Sequence, residues 1–126
     1  MRLNEIKNLR EKARSFLSQA EEALKNNAYD VSVFLADISA QLYLKSILLE
    51  LIGDYPRTHS LRMLLGEISR HVKSSEVGEF MRVNRARITA LEDAYFTTRY
   101  SIRPFEKEDA EDAVRLVKEI MELFKT

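Results

Sequence analysis

Cysteine is missing from all 126 residues, which removes disulfides, thiolate metal sites and cysteine nucleophiles. Histidine is nearly missing too. With only His59 and His71, a transition-metal site would need carboxylates for most of its ligands, and no HExxH or EF-hand spacing occurs. The phosphate loops GxxxxGK[ST] and GxGxxG and the nucleophile elbow GxSxG are also absent, so no metal, no cofactor and no standard enzyme signature is expected. Neither sign of charge dominates, because 20 basic residues balance 20 acidic ones, and no bulk attraction to nucleic acid or anionic lipid follows. Long apolar runs are lacking as well: "SILLELIG" is interrupted by Glu50, and nothing approaches the roughly 20 apolar residues of a membrane span. No basic stretch followed by an apolar one stands at Met1, so the expectation is a cytoplasmic chain with no membrane association.

Three glycines and two prolines are few for this length, and the apolar residues that are present recur at helical spacing. The fold class this predicts is all-α, an antiparallel helical bundle of about five helices, four long and one short. The first spans about Asn4 to Lys25, with Ile6, Leu9, Ala13, Phe16, Leu17, Ala20 and Leu24 on one stripe. The second begins near Asp30 or Ser32, is the most apolar, and stops at Gly53. Ser60 caps a short third helix with Leu61, Leu64, Leu65, Ile68 and Val72 inward. The fourth runs from Ser75 or Glu76 to about Thr98, with Val77, Phe80, Val83 or Asn84, Ile88, Leu91 and Tyr95 on its stripe. Pro104 disfavours helix in the residue before it. The last, about Glu106 to Lys125, opens on an acidic cluster suited to a helix N-terminus. No repeat, low-complexity tract or linker divides the chain, so residues 1–126 are expected to form a single helical domain.

Two polar groupings are candidates for chemistry. In the second helix Asp37, Gln41 and Lys45 stand at successive i,i+4 positions and make a ridge on an otherwise apolar helix. Such a ridge is either the solvated face of the helix or the wall of a cleft in which Asp37 and Lys45 orient groups from another helix. The second grouping is Arg82, Arg85, Arg87, Arg99 and Arg103, with Tyr95, Phe96 and Tyr100 nearby. Arginine forks and aromatic rings together suit a nucleotide or single-stranded RNA. At 100° per residue Arg87 lies about 200° round from Arg85, so Arg82, Arg85 and Arg87 cannot form one stripe. The alternative is solvent-exposed arginines, with Arg99 a cation at a helix C-terminus. His59 reads as a hydrogen-bonding residue at a helix start and His71 as a solvated residue at a helix end.

The segments "FLADISAQLYLKSILLELIGDYPRTHSL" and "LEDAYFTTRYSIRPFEKEDAEDAVRLVKEI" together resemble the HEPN family, the higher eukaryote and prokaryote nucleotide-binding domain. The resemblance rests on Lys45 before Ile47, Leu48 and Leu49, on Thr58, His59 and Leu61 in a turn, on Arg99 and Tyr100 after an Ala-Tyr segment, and on the acidic start of the last helix. It implies a small helical bundle, commonly a homodimer, often paired with a minimal nucleotidyltransferase in a module resembling toxin and antitoxin, with nucleotide or RNA as ligand. Many members are ribonucleases carrying Arg, four to six residues, then His. Here Pro104, Phe105 and Glu106 follow Arg99 at that distance, and Glu108, Asp109 and Ala110 follow Arg103. Neither His59 nor His71 stands at that spacing after any arginine, so the imidazole that would act on a 2′-hydroxyl is not supplied by the motif. The expectation is a non-catalytic HEPN-like protein whose cleft uses Asp37, Gln41, Lys45, Tyr95, Arg99 and Tyr100. A divergent RNA-cleaving toxin and a purely structural dimerisation module are the rivals.

Overall fold

The computed structural model describes residues 2–100 and 104–125, apart from the side chains of residues 98–100. Among these residues all regular structure is α-helical: α1 (Arg2–Lys25), α2 (Tyr29–Ile52), α3 (Leu61–Ser69), α4 (Ser74–Val83), α5 (Arg85–Tyr100) and α6 (Lys107–Leu123). The centre is α2, which packs against α1 most extensively and then against α6, α5 and α3. By length and composition α2 could cross a membrane, which uninterrupted apolar runs alone did not suggest. However, 67% of that stretch is buried inside the bundle, so the core is what its apolar surface serves.

The α1–α2 pair is held close by small side chains. Ala13 and Ala20 of α1 and Ala36 and Ala40 of α2 are fully buried. Ser32 Oγ donates to the Ala20 carbonyl at 2.7 Å and Ser39 Oγ to the Ala13 carbonyl at 2.6 Å. These two bonds lie seven residues apart on each helix, in opposite directions along the chain, and so fix the antiparallel register. Near the far end of the pair Arg10 continues the seam, donating to Ser46 Oγ and to Glu50.

Local signals end α2 and begin α3 and α6 where the sequence places them. Gly53 adopts φ 79°, a left-handed conformation in which its N–H returns to the Leu49 carbonyl. Ser60 Oγ accepts the Met63 N–H at the start of α3. The Asp109 carboxylate accepts the Glu106 N–H at 2.8 Å, closing the first turn of α6, and Asp30 at the start of α2 accepts the Phe105 N–H.

The expected fourth helix is in fact two, giving six helices among the described residues where about five were predicted, and α5 runs two residues past the expected Thr98. The break is at Asn84, with φ −109° and ψ 20°. Its amide nitrogen donates to the Phe80 carbonyl at 3.0 Å, and its amide oxygen accepts from Arg87 at 2.7 Å. An asparagine that binds neighbouring backbone in this way competes with helix continuation. Arg87 in turn bridges Asp112 and Glu119, clamping α5 to α6. The break also settles which residue at that turn faces inward: Asn84 is buried while Val83 is 63% exposed.

Candidate functional site

The three polar residues of α2 are not a solvated face. Asp37 is fully buried and Gln41 nearly so, while Lys45 is half-buried. Gln41 Nε2 donates to Asp37 Oδ2 at 2.8 Å, and the other end of the same amide, Oε1, meets His59 Nδ1 at 3.2 Å. Asp37 Oδ1 is buried with no hydrogen-bond partner among the described residues. Burial pushes the Asp37 carboxyl up to about 8; the bond from Gln41 opposes this, and the carboxylates of Glu92 and Asp93 add to it. Lys45 makes no ion pair with Asp37 among the described residues. Its ammonium stands 5.5 Å from the centre of the Tyr55 ring, and its pKa is lowered by burial and then by Arg57.

His59 reaches Gln41 because the connection from α2 to α3 is fastened to α5. Buried Glu92 accepts from Ser60 Oγ at 3.3 Å, from the Arg62 N–H at 3.1 Å, and from the Arg62 guanidinium at 2.9 and 3.2 Å. A carboxylate at the N-terminus of α3 also suits the helix dipole. One helical turn further along α5, Tyr95 stacks flat on the His59 ring, with centroids 3.9 Å apart and planes inclined by 19°. Tyr95 also stacks on Phe34 at 6.4 Å and meets Phe96 edge-on at 5.1 Å. Imidazole on phenol ring is a favourable arrangement for aromatic faces, and it leaves His59 with a fixed plane and an exposed edge.

That edge lines a surface concavity of about 360 Å³ shared with Arg57, Ser60, Glu92, Asp93 and Phe96. Phe96 is 58% exposed and forms one side of this concavity. A smaller cavity of about 130 Å³ lies elsewhere, between α2, α5 and the start of α6. It is lined by Arg87 and Asp112, which already satisfy each other.

Of the expected site residues, the structure brings Asp37, Gln41 and Tyr95 into one chain of contacts through His59, with Lys45 at its edge. The side chains of Arg99 and Tyr100 lie outside the described residues, as does Arg103. Of the remaining arginines, Arg82 and Arg85 line one concavity with Arg62, Arg82 also pairing with Glu79, while Arg87 is half-buried in its clamp on α6. His59, read from sequence as a helix-start residue, is the link that was missed. The available signal was its place in "RTHS" beside a cap; that Gln41 is buried and needs a partner is seen only in the fold. His71, as expected, is exposed near the end of α3, beside Glu67.

No curated protein matches this sequence. Among solved structures, TT1696 from Thermus thermophilus superposes with a TM-score of 0.74 at 25% sequence identity, covering 95% of each chain. Residues 6–126 match the HEPN domain, nearly the whole length, and the chain therefore belongs to the HEPN domain family.

Proposed function

We propose that this HEPN protein is a non-catalytic binding partner of a minimal nucleotidyltransferase, in a two-component module of the toxin and antitoxin kind, and that it takes a nucleotide at the His59 concavity. The observation that carries the reading is the exposed imidazole, held flat on Tyr95 and fixed through Gln41 to a buried acid. A fixed ring edge beside an exposed Phe96 and Arg57 offers a stacking surface, a hydrogen-bonding nitrogen and a cation for phosphate. Arg99 and Tyr100, the residues that carry the family resemblance, are assigned to the same ligand. The missing Arg-x4-6-His spacing supports binding over catalysis.

Titration of ATP against the purified protein, alone and with the nucleotidyltransferase recovered from its host, tests the reading. Binding lost on His59→Ala and on Arg99→Ala is the expected result. Unchanged nucleotide and partner binding in Arg99→Ala removes that residue from the site, and no binding in any combination overturns the proposal.

A second reading starts from the same imidazole, with His59, from another part of the chain, taking the place of the histidine absent from the motif. On that reading the protein cleaves RNA, with His59 exchanging the proton. RNA cleavage by the purified protein that is abolished in His59→Ala would replace the binding reading. Homodimerisation is part of the proposal as well. The apolar stripes of α1 and α6 are used inside the bundle, through Ala13 and Ala20 and through Val114, Val117 and Ile120. A dimer therefore has to use other surface, and light scattering at micromolar concentration distinguishes it from a monomer.

A further inference from the structure

Asp37, Gln41 and His59 form a line from the fully buried core to an exposed ring edge, and the middle member has one donating and one accepting end. With the Gln41 amide as it stands, Asp37 Oδ2 accepts, His59 Nδ1 must carry a hydrogen, and in the neutral ring Nε2 is then a bare lone pair. Any proton on Asp37 then sits on Oδ1, a buried atom with no partner among the described residues. A buried donor left unpaired costs about 1–3 kcal/mol. Turning the amide over keeps every heavy atom in place and reverses every bond. The Asp37 hydroxyl then donates to Gln41 Oε1, Gln41 Nε2 donates to His59 Nδ1, and the ring hydrogen moves to Nε2. The ionised acid is compatible only with the first arrangement, since it has no hydrogen to give. The neutral acid satisfies itself in the second.

We propose that Asp37, Gln41 and His59 are a proton-coupled amide switch, in which the proton on Asp37 decides whether the exposed Nε2 of His59 offers a hydrogen or a lone pair to a ligand in the concavity. The surroundings favour the neutral acid under ordinary conditions. Glu92 and Asp93 of α5 face Asp37 with negative charge, and the Arg62 guanidinium of α3 neutralises Glu92 in part. Lys45, two turns along α2, supplies the opposing positive charge and is itself repelled by Arg57 of the following connection. Burial raises the Asp37 carboxyl to about 8, so mildly alkaline conditions remove its proton. For the ligand class this rests on the nucleotide reading: below the transition the site donates to an acceptor oxygen of phosphate or base, and above it that bond is lost.

The switch is read without any ligand by long-range proton–nitrogen NMR of the imidazole nitrogens from pH 6 to pH 10. The three ring forms give distinct patterns, so ring protonation is separated from tautomer exchange. The wild type is expected to pass from the Nε2–H to the Nδ1–H form as Asp37 ionises, and Asp37→Asn to show no such exchange. One tautomer throughout in the wild type, or the same exchange in Asp37→Asn, overturns the switch. If Asp37→Asn does not fold, Gln41→Met takes its place, since it interrupts the line while filling its space, and exchange that persists in it overturns the switch equally. ATP binding is then compared below and above the transition, with about a tenfold weakening expected from one lost hydrogen bond. Failure of ATP to bind while the tautomer exchange is seen overturns the nucleotide reading and leaves the switch standing.

Discussion

Replacing Asp37 by asparagine should make the protein more stable as pH rises, relative to the wild type. The Asp37 carboxyl is raised from 3.8 to about 8 by burial, so between those values the folded chain holds a proton that the unfolded chain has released. Where the native state binds more protons, stability falls with rising pH, by about 1.4 kcal/mol per unit for one group. The contribution is fully present below about 3.8 and is lost progressively up to about 8, where both states are ionised. Asparagine has nearly the same shape, keeps a carbonyl oxygen for Gln41 and takes up no proton. The stability difference between Asp37→Asn and wild type should therefore widen by about 2.7 kcal/mol between pH 5 and pH 7. Urea unfolding followed by circular dichroism at several pH values gives this difference directly, and the other carboxylates cancel because both proteins carry them. The offset at any single pH depends on how well the amide packs, so the slope is the test. Parallel stability profiles for the two proteins would show that Asp37 is not neutral in the fold. A buried acid that lowers stability where an amide would not is the pattern of a residue kept for function.

The fastening of the α2–α3 connection predicts that Glu92→Gln lowers stability by about 1–3 kcal/mol, because Arg62 and Ser60 lose a charged acceptor; an unchanged melting temperature would refute this role. The same variant should loosen His59, visible as exchange broadening of its ring signals. Arg87→Met should cost about 2 kcal/mol by separating α5 from α6 and leaving Asp112 and Glu119 facing each other, and Arg87→Lys should not restore it, because one ammonium cannot replace the forked contacts. Thermal melts of the two variants check both statements. Ala13→Leu should destabilise by about 1–3 kcal/mol through overpacking, since Ala13 is fully buried where the Ser39 hydroxyl reaches its carbonyl. A urea midpoint equal to that of the wild type would mean the α1–α2 seam has room to spare.

Helix ends were legible because their causes are local. Gly53, Ser60 and Asp109 act on backbone within four residues, so their chemistry can be read without knowing the fold. Asn84 was not legible in the same way. Its hold on Phe80 is local, but the arrangement is completed by Arg87, whose partners Asp112 and Glu119 lie 25 and 32 residues away. The arginine grouping divides for a related reason: Arg87 is drawn to α6 by Asp112 and Glu119, while Arg82 and Arg85 stay on a shared concavity. Spacing placed Asp37, Gln41 and Lys45 on one line but could not say what lies over it, and polar residues by type suggest solvent.

Gln41 joins that line to the following connection: its contact with His59 spans 18 residues, and Glu92 holds the same connection against α5. The residue type at 41 is itself informative. A carboxylate there could accept from His59 but could not donate to Asp37 once ionised, and it would set two acids side by side in the core. A hydrocarbon would bury just as well and would carry nothing. An amide is the side chain that both accepts and donates without charge, so it can join a buried acid to an exposed imidazole and pass the state of one to the other. The His59 ring is held from the core through that amide and from α5 by the stacked Tyr95.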